Sequence, residues 1–268
     1  MRIWHQSMTV LEDLPAYKAL IEAHARKVLR PDTEVVPHGL AKDTYPGDYP
    51  GDDISYAALY ELHSQQWLAY AWRAQKEKYD AFAVCTMLDP LLREIRTMVD
   101  IPVVGCAESC FLLAPMFGQR FGMLLFIDRL VPVYQELVRS YGMAERCVGI
   151  VPVGFRFRDV LDSFDEPGAL IERFKTAARK LIDLGADVII PGEIPLNLLM
   201  ASQGVNRVDD AVVMDSLGLT LKLTETMTEL RRTTGLGPSR RGFAGAAPRA
   251  ERLEQVLRYY GLGRFMDG

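Results

Sequence analysis

The sequence predicts an α/β protein made of two pseudo-symmetric lobes, each a parallel sheet flanked by helices, with an active site in the inter-lobe cleft. Two observations carry this. Short apolar runs alternate with amphipathic segments along the chain, the pattern of parallel strands joined by crossover helices. The alternation also repeats. Strands expected at Arg2–Gln6, Glu34–Pro37, Phe82–Cys85 and Pro102–Gly105 are matched in order by Gly122–Phe126, Cys147–Pro152, Val188–Pro191 and Ala211–Met214. One continuous eight-stranded sheet is the alternative.

The chain has 268 residues, 49% hydrophobic and 25% charged. At that length about three-quarters of the surface can be buried without disulfide staples. A net charge of -4 provides no field to recruit nucleic acid or an anionic membrane. No apolar run nears the ~20 residues needed to span a bilayer. The opening MRIWHQSMTVLED lacks a signal peptide's apolar stretch. A cytoplasmic protein is expected, and Cys85, Cys106, Cys110 and Cys147 are read as thiols.

After the first strand, LPAYKALIEAHARKVL places Tyr17, Leu20, Ile21, His24 and Val28 on one helical stripe. YPGDYPGDDISY reads as a solvated lid. Its Asp48, Asp52 and Asp53 lack calcium-loop spacing. ISYAALYELHSQQWLAYAW reads as one helix whose stripe Tyr56, Tyr60, His63, Trp67 and Tyr70 suggests a dimer face. ALIERFKTAARKLIDLG ends at Gly185, suited to the residue after a helix. LGLTLKLTETMTELRRTTG and RAERLEQVLRYYG read as helices returning to the first lobe. The expected lobes are 1–115 plus 216–268, and 116–215. From residue 231 onward there are eight arginines against Glu251, Glu254 and Asp267, read as a solvated face or subunit contact. His24 and His63 read as core or interface residues and His38 as a turn residue. No metal or cofactor motif is present.

The internal repeat locates the chemistry. YDAFAVCTMLDP and GADVIIPGEIPL share one layout: an Asp (Asp80, Asp187), a buried strand, Thr86 or Glu193 six residues after the Asp, then Pro90 or Pro195. Asp89 suits an N-cap, and Pro suits a first helical turn. Ligands of parallel sheets sit beyond the carboxyl ends of strands, so Thr86 and Glu193 are expected on opposite walls of one cleft.

The segments DAFAVCTMLDPLLREIRTMVDIPVVGCAES, RFGMLLF and GADVIIPGEIPL, in this order, resemble the aspartate/glutamate/hydantoin racemase superfamily over nearly the whole chain. The resemblance implies two pseudo-symmetric α/β lobes and no cofactor. It also implies a cysteine at the end of the third strand of each lobe, one thiolate removing a proton and the other thiol returning one. Here Thr86 and Glu193 occupy those two slots, so the chain departs from its relatives at both.

Glu193 is the expected acid/base group; taken alone a carboxylate there reads as a cap of its helix, and its coincidence with the second slot favours the chemical role. Thr86 is expected to orient the substrate or stabilise an enolate oxygen. The second proton carrier is His5 or Cys85; His5 is equally readable as a rim residue and Cys85 as a small buried hydrophobe. Substrate contacts are expected from Gln6, Ser7, Met87, Glu108, Ser109, Gly192 and Ile194, mainly through backbone N–H groups at helix starts. Cys106 could approach the site, whereas Cys110 and Cys147 read as structural. The expected substrate is a small carboxylate or a cyclic amide of the hydantoin kind, handled by a homo-oligomer. The expected reaction is racemisation or isomerisation. A decarboxylase or hydrolase using Glu193, or a binding protein without catalysis, are the alternatives.

Overall fold

In the computed structural model, which describes residues 1–47, 49–164 and 166–267, the strands form two sheets and not one. The first contains β1 (Arg2–Gln6), β2 (Glu34–His38), β3 (Ala81–Val84) and β4 (Val103–Gly105), in the order β2-β1-β3-β4. The second contains β5 (Phe121–Leu125), β6 (Cys147–Pro152), β7 (Val188–Pro191), β8 (Arg207–Val208) and β9 (Ala211–Val213), in the order β6-β5-β7-β9-β8. All neighbours run parallel except β8 with β9. Each sheet therefore places its first strand between its second and third, and the repeat seen in the sequence is a repeat of topology.

β3, β5 and β7 are buried along their full length. This is why they read as unbroken apolar runs and not as alternating ones. β8 escaped detection because it is two residues long. It closes a hairpin through Asp209 and Asp210, with Asp209 at φ +50, a conformation that short polar side chains tolerate.

The chain divides into two compact units. One comprises Met1–Cys85, Asp89–Gly105 and the chain from Leu221 onward; the other comprises Thr86–Leu88 and Cys106–Thr220. No described helix is long and apolar enough to cross a membrane.

Several local expectations are corrected. The expected single helix is three, Gly51–Ile54, Ala57–Ser64 and Gln66–Lys76. Ser64 Oγ donates to the Tyr60 carbonyl at 2.7 Å, a back-bond that bends helices. Its aromatic stripe is not one exposed face: Tyr56 is 54% exposed, whereas Trp67 and Tyr70 are buried. His63 instead pairs with Asp53 at 2.8 Å. The proposed lid is docked at its start, where buried Tyr45 accepts the Val10 N–H at 2.7 Å. Asp48 lies outside the described residues. Asp89 is not the N-cap of the helix that follows it: Asp89 and Leu91 both have positive φ, and that helix begins at Leu92 with Leu91 at its N-cap. His38 is no turn residue. Its ring stacks on Trp4, centroids 3.4 Å apart and planes 5° apart, in a cluster with Tyr79. Three of the arginines after residue 231 make ion pairs within their own unit: Arg232 with Asp80, Arg240 with Asp100, and Arg258 with Asp267.

The helix Ser216–Thr234 is fastened to the first sheet through Glu225, whose side chain is 3% exposed. Burial alone would raise its pKa. Hydrogen bonds from Lys222 Nζ (2.6 Å), Thr33 Oγ1 (2.5 Å) and the Arg30 N–H (3.2 Å) overturn that and hold it at about 2. A pKa depressed in the folded state contributes stability above the unfolded value and loses it as pH falls through the folded one. Glu225→Gln is therefore expected to cost about 2 kcal/mol at neutral pH. In acid titrations followed by circular dichroism, the gap between variant and parent should close from pH 4.5 towards about 2.

Candidate active site

The two bends of the repeat have equivalent backbones. In the first unit Gln6 pairs with Val84, and the next amide, that of Cys85, continues the ladder by donating to the Gln6 carbonyl at 2.9 Å. In the second unit Leu124 pairs with Pro191, and the next amide, that of Gly192, donates to the Leu124 carbonyl at 2.7 Å. Cys85 thus corresponds to Gly192, and Thr86 to Glu193. The ladder spends the Gly192 N–H, so that amide is not free for a substrate. A Cβ here would meet the Leu124 oxygen at 3.1 Å and Leu125 Cβ at 3.3 Å, so a larger residue would fit only if its neighbours shifted by a few tenths of an ångström.

Glu193 is the N-cap residue of the helix Ile194–Ser202, with an extended backbone (φ -127, ψ 142). Its side chain does not cap that helix. It reaches across to the chain leaving β5, where Oε1 accepts the N–H groups of Phe126 (3.0 Å) and Ile127 (3.3 Å). Oε2 is buried and has no hydrogen-bond partner among the described residues. Burial raises the Glu193 pKa to about 8. The two N–H groups oppose that rise, and the negative charge of Asp128 adds to it. At neutral pH this carboxyl is mostly protonated, with one oxygen fixed and the other unspent.

The equivalent amide in the first unit is used differently. The Thr9 N–H, which corresponds to that of Ile127, donates to Ser7 Oγ at 3.1 Å, and Ser7 Oγ lies 2.7 Å from Thr9 Oγ1. Gln6 is committed locally too: its Oε1 accepts the Trp4 indole N–H at 2.9 Å, and its Nε2 donates to the Ser7 carbonyl at 3.0 Å. His5 is fully buried, and neither ring nitrogen has a partner outside its own residue. Burial lowers its pKa to about 3. Cys85 is buried, and burial pushes its thiol pKa well up. Both groups are therefore neutral at pH 7.

In the second unit the bend at Met87 is tied to the bend at Gly192 by a line of buried contacts. Met87 Sδ lies 3.3 Å from Cys106 Sγ, Cys106 Sγ lies 3.9 Å from the Ser216 carbonyl, and Ser216 Oγ donates to the Pro191 carbonyl at 3.1 Å. Cys106 is committed to this contact line. Cys110 packs fully buried, and Cys147 Sγ contacts the Gly149 carbonyl at 3.7 Å. Ser109 is buried in the helix Cys106–Leu113, with Glu108 half-buried beside it. Sequence reasoning missed Phe126, Ile127 and Ser216. The first two were within reach: if β5 neighbours β7 as β1 neighbours β3, the residues after β5 must lie beside Glu193. Ser216 carries no signal, because a lone serine between two elements does not report its partner. Among the described residues there is no cluster of histidine, cysteine, aspartate and glutamate able to hold a metal ion.

The chain was compared with known proteins. The family described as Asp/Glu/Hydantoin racemase matches residues 16–201. A hydantoin racemase of Pseudomonas sp. (strain NS671) is 29% identical over 217 residues, 80% of this chain and 82% of that protein. Among solved structures, allantoin racemase from Klebsiella pneumoniae superposes with a TM-score of 0.74 at 23% identity, covering 93% of this chain and 94% of its own. Allantoin racemase from Pseudomonas fluorescens gives 0.71 at 20% identity, covering 93% and 97%. These two share the fold, and the family match spans most of this sequence. The chain belongs to the Asp/Glu/Hydantoin racemase family.

Proposed function

We propose that this protein is a cofactor-independent racemase of a small cyclic amide of the hydantoin type, and that Glu193 is its acid/base group. One observation carries the reading: Glu193 Oε1 is pinned by two backbone N–H groups while Oε2 is buried without a partner. A carboxyl held this way is oriented for proton transfer, and its pKa of about 8 lies near the pH at which it would work. At pH 7 about one molecule in ten would carry it ionised, so both the acid and the base form are within reach.

The chemistry is proton exchange at the ring carbon beside a carbonyl. The C–H bond breaks, its proton passes to a base, and its electron pair moves into the carbonyl as an enolate. Return of a proton to the opposite face gives the mirror-image product. Glu193 serves one face. Thr86, at the equivalent bend, orients the ring or stabilises the enolate oxygen through its hydroxyl or N–H. Of the two residues considered for the second face, His5 and Cys85, neither is ionised at neutral pH. Met87, Ser109 and Ile194 contribute contacts from their backbones. The charge acting on Glu193 is that of Asp128, itself negative, so a substrate bringing a second carboxylate would add another like charge. This favours a neutral ring over an acidic amino acid. The named relatives, hydantoin and allantoin racemases, point the same way.

Three outcomes test the reading. In D₂O the protein is expected to exchange the ring proton of a 5-substituted hydantoin, followed by NMR, and Glu193→Gln should reduce that exchange at least 100-fold. A new product in place of exchange would make the protein a lyase or hydrolase, and binding without either would make it a binding protein. The same variant should gain stability. A carboxyl whose pKa is raised on folding loses stability as pH climbs from its unfolded value, near 4.5, through about 8. Thermal melts should therefore show Glu193→Gln increasingly more stable than the parent across that interval, so its inactivity could not be misfolding. Third, Asp128→Asn removes the like charge and should lower the midpoint at which the Glu193 carboxyl titrates, read by ¹³C NMR with labelled glutamate.

A further inference from the structure

Glu193 is held at its carboxyl end by Phe126 and Ile127, and the structure also holds it at its root. Tyr134 lies in the helix Val131–Ser140 with its side chain buried, and its hydroxyl donates to the Gly192 carbonyl at 3.0 Å. That carbonyl belongs to the peptide joining Gly192 to Glu193. The same residue's N–H is fixed by the Leu124 carbonyl, and its Cα has almost no free space around it. Gly192 is therefore held on both sides, through its N–H by the sheet and through its carbonyl by a tyrosine, and the carbonyl is the half that belongs to the Gly192–Glu193 peptide.

We propose that Tyr134 is a positioning residue for Glu193: by holding the Gly192 carbonyl, its hydroxyl fixes the peptide plane from which the Glu193 side chain departs. This rests on the reading of Glu193 as the acid/base group. A carboxyl with one free oxygen transfers protons efficiently only from a defined place, and sub-ångström displacement of such a group lowers the rate without weakening binding. Tyr134 acts through Glu193 and touches no reacting atom. Phenylalanine keeps the ring and its packing, so Tyr134→Phe removes only the hydroxyl.

The experiment compares parent, Tyr134→Phe, Glu193→Gln and the double variant as full-length chains. Tyr134→Phe is expected to lower kcat for hydantoin proton exchange about five- to tenfold, the equivalent of one ordinary hydrogen bond, with KM nearly unchanged. In a ¹³C NMR titration the Glu193 carboxyl should titrate at a lower pH in Tyr134→Phe, because a loosened side chain reaches better-solvated positions. In the double variant the tyrosine change should have no further effect on exchange. A purely structural tyrosine would lower Tm in Tyr134→Phe and leave both the kcat/KM split and the titration midpoint where they are, and that result would overturn the proposal. The titration reads Glu193 directly. A shifted midpoint with no catalysis in the parent would therefore uphold the clamp while rejecting the acid/base role, and the two failures stay distinct.

Discussion

A single oxygen receiving two backbone N–H groups governs the second unit. Phe126 and Ile127 leave β5 just where β7 ends beside it, so their amides come free of the ladder together and point at the first polar side chain beyond β7. That side chain is Glu193. Burying a carboxylate without partners would be prohibitive, and the protein meets this in two ways. The amides compensate one oxygen, and the raised pKa keeps the group neutral at ordinary pH. The result is a carboxyl that survives burial in its acid form and still has an oxygen to offer. Sites that hold a group in this condition give up stability for reactivity.

The first unit shows what the same backbone does without a carboxylate. After β1 the chain turns through Ser7, Met8 and Thr9, and the Thr9 amide is satisfied by Ser7 Oγ. Local hydroxyl-to-backbone bonding of this kind is what serine and threonine do in turns. The duplicated ladder supplies one backbone at both bends, and the choice of side chain decides whether the nearby amides bind an acid or close on themselves.

Much of this was legible in the sequence for physical reasons. Parallel strands buried on both faces must be unbroken apolar runs, and AFAV, FGMLL and VIIP are such runs. Duplication preserved the Asp-to-bend spacing, so Thr86 and Glu193 could be matched before any coordinates. The backbone ladder now explains the match. What could not be read was direction. A carboxylate at the start of a helix ordinarily caps that helix, and nothing in GEIPL says that Glu193 turns to another strand. Nor does YAALYELHSQQW say that the helix breaks after Ser64 or that Trp67 and Tyr70 are buried. Proline after an aspartate suggested a cap at Asp89. The backbone takes positive φ at Asp89 and Leu91 instead, and the helix begins at Leu92.

Family membership and reaction rest on different atoms. The ladder, the strand order and the bends are backbone features, and the fold they build is shared with a solved racemase at 23% identity; they set which positions stand at the bends. They do not fix which group stands there, since each side chain projects past the last paired residue and contributes nothing to the sheet. Side chains at those places can change without disturbing the fold, and fold alone therefore cannot carry a statement about chemistry. A thiol and a carboxyl differ in what they require from their surroundings. A thiol tolerates an apolar pocket as a small hydrophobe, whereas a carboxyl demands donors or protonation. The Phe126 and Ile127 amides and the unpaired Oε2 are those demands, one met and one left open. That imbalance belongs to this chain's own side chain, and the role proposed for Glu193 rests on it.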